Sequence, residues 1–206
     1  GFFTSMGNSL IVALGATVLA GVVSFFGGYA YSRYRSRLTS WTAVYMIAVR
    51  VLPPIVVTLP LFPVADRLGL GDTHLLLILL YATFWVSLNT MIMKNFFDQV
   101  PYELDEAAYV DGASKIQQFF NMTLPLLKPA LLVALIFRTL DAFRVFDLLY
   151  VMNGYNPDTM SIAVYTQQML IGAQRIGEGS APAVIIFLCV GVLAFIYTRL
   201  IRVEDA

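Results

Sequence analysis

The chain has 206 residues, 59% of them apolar and 13% charged, and its 13 Lys and Arg balance its 13 Asp and Glu. Soluble domains carry about 25% charged residues, and the mean hydropathy of +0.76 points away from them too. The composition therefore argues against an ordinary soluble enzyme and for an integral membrane protein in a lipid bilayer; zero net charge gives no footing for a nucleic-acid partner, and none is expected.

A helical span needs about 20 mostly apolar residues. The first charge is Arg33, which places a first span at 9–31. A second is read at 41–61, interrupted by Arg50 and by Pro53 and Pro54. The third, 74–93, holds no acidic or basic residue. The fourth, 130–152, carries four charges, and the fifth is 181–199. Residues 159–174 are uncharged but short and rich in Gln, and read as an amphipathic surface helix. The fold class is therefore all-α: one polytopic bundle over 1–206.

Basic residues orient the bundle. Loops 32–40, 94–129 and 200–206, with their borders, hold Arg33, Arg35, Arg37, Lys94, Lys115, Lys128, Arg199 and Arg202. The opposite side holds only Arg67 and Arg175. The positive-inside rule puts 94–129 in the cytoplasm. Residue 1 then lies outside, the first apolar run has no basic n-region within the sequence ahead of it, and a further span preceding it is expected.

Within 94–129, Pro101 suits a helix start, with Glu103, Asp105 and Glu106 near the positive end of its dipole. Gly112 can end that helix or admit another backbone. "SKIQQFF" reads as a second short helix, stopped by Pro125 and Pro129 before the next span. The pair would lie as an L across the membrane face. Physics alone leaves open whether it is a docking element or an ordinary interfacial turn.

"EAAYVDGA" followed by "LPLLKP" resembles the EAA signature of permease subunits of binding-protein-dependent ABC importers. The matching positions are Glu106, Ala107, Ala108, Gly112, Leu124 and Pro125, with Asp111 inside the motif. "NSLIVALGATVLAGVVSFFGGYAYSRYR", "RVLPPIVVTLPLF" and "FRTLDAFRVFDLLYVMNG" are similar to spans of maltose-type carbohydrate permeases. The resemblance implies a coupling helix seated in a cleft of an ATP-binding subunit, and transport of a sugar or related small polar solute by alternating access. It implies a second permease subunit, a dimer of ATP-binding subunits and an extracytoplasmic solute-binding protein as partners, in a prokaryotic inner membrane. ATP and Mg would be bound by the partner ATPase.

The fourth span repeats charge every third residue: Arg138, Asp141, Arg144, Asp147. Neighbours of opposite sign can meet along one side of a helix. A charge at the bilayer centre costs about 2.5–3.5 kcal/mol, so this side should face the interior. It is read as solute path or gate, with an ion-pair ladder as the structural alternative. Arg50, beside carbonyls freed by Pro53 and Pro54, and Asn89 in the third span join the path set. Tyr81 and Trp85 read as interface anchors or core packing.

No Walker phosphate loop, H-E-x-x-H or G-x-S-x-G occurs. No catalytic residue is assigned. His74 and Cys189 stand alone, and no metal site is expected. The readings from other classes are a gradient-driven transporter using the intramembrane carboxylates, and a scaffold whose charges only join subunits.

Overall fold

A computed structural model describes residues 1–34, 36–110, 112–143 and 146–204. The described residues form helices and no strand. The long helices are α1 (Phe2–Arg33), α4 (His74–Gln99), α7 (Leu124–Phe143) and α10 (Ile176–Glu204). The shorter ones are α2 (Arg37–Val49), α3 (Pro54–Arg67), α5 (Tyr102–Val110), α6 (Lys115–Gln118), α8 (Asp147–Asn153) and α9 (Ile162–Gln167).

The bundle is organised around α1. Its buried stripe is small and polar: Ser5, Asn8, Val12, Ala16, Ala20, Ser24, Gly28 and Ser32 recur every three or four residues. Its opposite face exposes Leu10, Ile11, Leu14, Val18 and Val22. Lipid offers no hydrophobic drive between helices, so small residues inside and apolar ones outside are the stable arrangement. The closest approach is at Gly28, where an added Cβ would stand 2.5 Å from Met93 Cβ and 2.9 Å from the Lys94 backbone nitrogen.

Helix α4 lies along α1 in the same direction. Gly15 meets Ile78, Ser24 Oγ donates to the Val86 carbonyl at 3.2 Å, and Ser32 Oγ donates to Asp98 Oδ1 at 2.6 Å. Two parallel neighbours require the chain between them to return across the bundle. That return is made by α2 and α3, which are bent 96° at a break around Pro53. Neither is long enough alone: 13 and 14 residues reach about 20 Å, against a hydrocarbon core of about 30 Å. The second crossing is thus broken where the interruption at Arg50, Pro53 and Pro54 led one to expect, and the bent pair extends beyond 41–61 at both ends. Its cause is local: Pro53 caps α3 and Pro54 opens it, so neither can continue α2.

Among the described residues three helices qualify as spans by length and apolarity, α1, α4 and α10 through Arg199, or four if the bent pair counts as one span. The expected span 130–152 is not one helix among the described residues. Helix α7 starts earlier, at Leu124, and α8 begins anew at Asp147. Nor do Pro125 and Pro129 stop the preceding helix. α6, a π-helical turn over Phe119–Thr123, and α7 follow one another without a gap. A proline at 125 cannot donate and its ring crowds the carbonyl four residues back. The π turn widens the spiral there, and the Leu124 N–H reaches back to the Phe119 carbonyl.

Segment 159–174 contains a two-piece helix, α9 followed by a π turn over Gln168–Gly172. It is less superficial than expected. Ile162 and Val164 are fully buried, and the Ile162 N–H donates to Ser9 Oγ on α1 at 2.8 Å. Asn8 adds a second tie, with Nδ2 donating to the Met160 carbonyl at 3.1 Å. Asn8 Oδ1 lies 3.0 Å from His74 Nε2, so the lone histidine is part of this brace.

Candidate functional site: a charged cavity and a helical hairpin

The first feature is a cavity of about 390 Å³ among α3, α4, α7 and α8. Its wall combines Tyr81, Phe84, Trp85 and Phe146 with the carboxylates Asp141 and Asp147. A second cavity of about 640 Å³ lies toward α2 and includes Arg50. Trp85 borders both. It also meets both cations, with the guanidinium carbon of Arg50 5.3 Å and that of Arg138 5.0 Å from its ring centre.

Arg138 itself stands behind the wall. Its side chain is 2% exposed, and its guanidinium carbon is 4.2 Å from the Tyr81 ring centre. Its Nη1 lies 3.8 Å from Asp141 Oδ2, an ion pair across one helical turn. The Tyr81 hydroxyl donates to the Asp141 backbone carbonyl at 3.1 Å. A cation over a desolvated aromatic ring contributes up to about 2 kcal/mol. Arg138 therefore positions Asp141 and the two rings, and Asp141, 44% exposed, faces the cavity. Asn89 borders a separate small cavity with Arg138 and Thr17.

The expected four-residue charge ladder does not continue along one helix. The Arg138–Asp141 step is present, but Arg144 lies outside the described residues, and Asp147 belongs to the first turn of α8. Asp141 and Asp147 are nonetheless brought together, since both line the same cavity. Tyr81 and Trp85 are more than anchors or packing, as they hold the buried cation and line the cavity. Their four-residue spacing, opposite an Arg within a span, was the available signal.

The second feature is the hairpin of α5 and α6. Gly112 joins them with φ +79°, a left-handed conformation that suits glycine, and an added Cβ would meet nothing within 4 Å. The Ala113 N–H donates to the Ala108 carbonyl at 2.9 Å, closing α5. Ser114 starts α6: the Gln117 N–H donates to its Oγ, and its own N–H donates to Gln117 Oε1, a capping box. Glu106 and Ala107 face outward, as does Val110 at 83% exposure. Ala108 is 4% exposed, so it seats α5 on its own chain instead of presenting itself to a partner. Leu124 is half-buried and Pro125 exposed, both in the first turn of α7. Asp111 lies outside the described residues.

Sequence reasoning missed Phe119. From the π turn its ring contacts Phe25 at 5.4 Å, Phe26 at 6.1 Å and Tyr29 at 5.5 Å, all on α1. Phe97 of α4 contacts Phe25 and Tyr29 at 5.3 and 5.4 Å. One aromatic cluster thus links the hairpin to both parallel helices. Nothing in "QQFF" separates Phe119 from Phe120, which is 57% exposed.

Residues 23–205 match the family described as binding-protein-dependent transport system inner membrane component. The chain is 46% identical over 108 residues to the sulfoquinovosyl glycerol transport system permease protein SmoG of Agrobacterium fabrum (52% of this chain, 35% of SmoG). It is 30% identical over 190 residues to the maltodextrin transport system permease protein MdxG of Bacillus subtilis (91% of this chain, 68% of MdxG). The match to SmoG thus spans about a third of that relative's length. Among solved structures, a bacterial ABC transporter involved in import of the acidic polysaccharide alginate superposes with a TM-score of 0.81 at 15% identity, covering 97% of this chain and 78% of that one. That likeness is one of fold.

Proposed function

The chain belongs to the family of binding-protein-dependent transport system inner membrane components, and from that premise we propose that it is a translocation subunit of an ATP-driven importer for a saccharide or a related polar solute. It performs no bond chemistry. A second permease completes the pathway, two ATP-binding subunits dock from the cytoplasm and hold ATP and Mg, and an extracytoplasmic binding protein delivers the solute.

The observation that carries this reading is the α5–Gly112–α6 hairpin. It bears the EAA pattern, stands at the Arg33 and Gln99 end of the bundle, and is joined to α1 through Phe119 and, by way of Phe25 and Tyr29, to Phe97 of α4. A partner that moves α5 must also move the π turn and the aromatic cluster. The solute reading rests on the aromatic and carboxylate wall of the 390 Å³ cavity. Rings offer flat apolar faces to a sugar, and carboxylates accept from its hydroxyls. It draws further support from the sugar-derived names of SmoG and MdxG.

The test is uptake by proteoliposomes holding the complete complex. The proposal expects uptake to require ATP and the binding protein, and to persist when the proton gradient is collapsed. Uptake that follows the proton gradient and ignores ATP would favour the carboxylate-driven transporter.

A further inference from the structure

We propose that the small cavity between α1, α4 and α7 holds one ordered water molecule, hydrogen-bonded to Thr17 Oγ1 and to the side chains of Asn89 and Arg138. The cavity measures about 30 Å³. One water needs about 10–15 Å³ of such space and two to four polar partners. Thr17, Ser24, Asn89 and Arg138 all line it.

Two of these groups lack what burial demands. Thr17 and Arg138 are each 4% exposed. Thr17 Oγ1 and all three guanidinium nitrogens of Arg138 have no hydrogen-bond partner among the described residues. Asp141 Oδ2, at 3.8 Å, is near enough to balance charge but too far for a hydrogen bond. Aromatic faces at Tyr81 and Trp85 attract the cation without accepting its N–H groups in full. Buried polar groups ordinarily have a partner, and those with none in the protein are the ones that internal waters bond.

Charge favours water over a small anion, because Asp141 already counters Arg138. A hydroxyl, an amide and a guanidinium around one space also ask for a molecule that both donates and accepts. Ser24 Oγ is already committed to the Val86 carbonyl. The water would brace Arg138 from the α1 side while the rings hold it from the other. The inference rests on this packing alone and stands apart from the choice of solute.

Gly21 supplies the test. A Cβ there would lie 3.8 Å from Leu135 Cδ2, an ordinary contact; both residues line the cavity, and the Cβ would take up part of its small volume. In a density map of the assembled complex that resolves waters elsewhere, the wild type should show a peak within hydrogen-bond distance of Thr17 Oγ1, and Gly21→Ala should lose it. Thr17→Val should lower the melting temperature by about 2–4 °C, but have no further effect in the Gly21→Ala background. An empty cavity in the wild-type map would overturn the proposal. So would equal Thr17→Val shifts in both backgrounds, or a peak that bromide replaces with an anomalous signal, which would mark an anion site.

Discussion

The guanidinium carbon of Arg138 stands 4.2 Å from the centre of the Tyr81 ring, and the Tyr81 hydroxyl donates to the backbone carbonyl of Asp141. The two residues hold a cavity-facing carboxylate from two directions. Arg138→Met removes the cation–π contact and the ion pair but keeps most of the volume. These contacts are worth about 1–2 kcal/mol and hold Asp141 at the cavity wall. Arg138→Met should therefore lower ATP-driven uptake in the assembled complex, with little change in melting temperature, because an incompletely satisfied buried cation is also removed. A purely structural Arg138 would instead lower the melting temperature and leave uptake unchanged in the surviving complex.

At Gly28 the α1–α4 distance is set by the absence of a side chain. The Cβ of Gly28→Ala would collide with Met93 Cβ and with the peptide bond between Met93 and Lys94, which a rotamer change cannot relieve. Overpacking costs about 1–3 kcal/mol. Thermal melting of the purified complex should show a clear loss for Gly28→Ala and little or none for Gly191→Ala, where the added Cβ meets nothing within 4 Å.

The Gly112 prediction separates conformation from space. Its surroundings are open, so a side chain is disfavoured by backbone geometry alone. A left-handed conformation costs an L-residue about 1–2 kcal/mol, and Asn tolerates it best. Gly112→Asn should keep most of the uptake per ATP hydrolysed, and Gly112→Val should lose it. Equal loss in both would mean that the position is occupied by a partner and cannot accept any side chain.

Phe119 tests the link between hairpin and spans. Phe119→Ala should leave ATP hydrolysis largely intact while uptake falls, and Phe119→Leu should restore part of it. Phe120→Ala, at an exposed position one residue on, should have a weaker effect on that ratio. Parallel losses of hydrolysis and uptake in Phe119→Ala would show that the ring only supports folding.

Much of this was legible in the sequence, for identifiable reasons. The helices α1, α4 and α10 each contain an apolar run long enough to span, and the hairpin has its own punctuation in Pro101, Gly112 and Ser114. The 96° bend was visible as Pro53–Pro54 but its angle was not, because proline ends a helix without fixing where the chain goes next. The π turn defeated the reading of Pro125 as a stop. Sequence spacing assumes a regular spiral, and a one-residue widening lets the helix pass a proline. Of the charge ladder only the Arg138–Asp141 step lies wholly within the described residues, and a period of three has meaning only while one helix continues, whereas Asp147 begins another. The inward face of α5 was also hidden. A run of Ala-Ala gives no contrast in polarity, so only the fold distinguishes buried Ala108 from exposed Ala107.

The central claim is that α5 docks on an ATP-binding subunit, and the most direct measurement is site-directed crosslinking from it. Val110→Cys and Ala107→Cys, both at exposed positions, should each crosslink to a Cys in the partner's groove, with yields that change when ATP is added. Ala108→Cys, buried on its own chain, should crosslink poorly. No crosslink from Val110→Cys or Ala107→Cys, with both proteins folded and present, would contradict the account and return α5 to an ordinary interfacial helix.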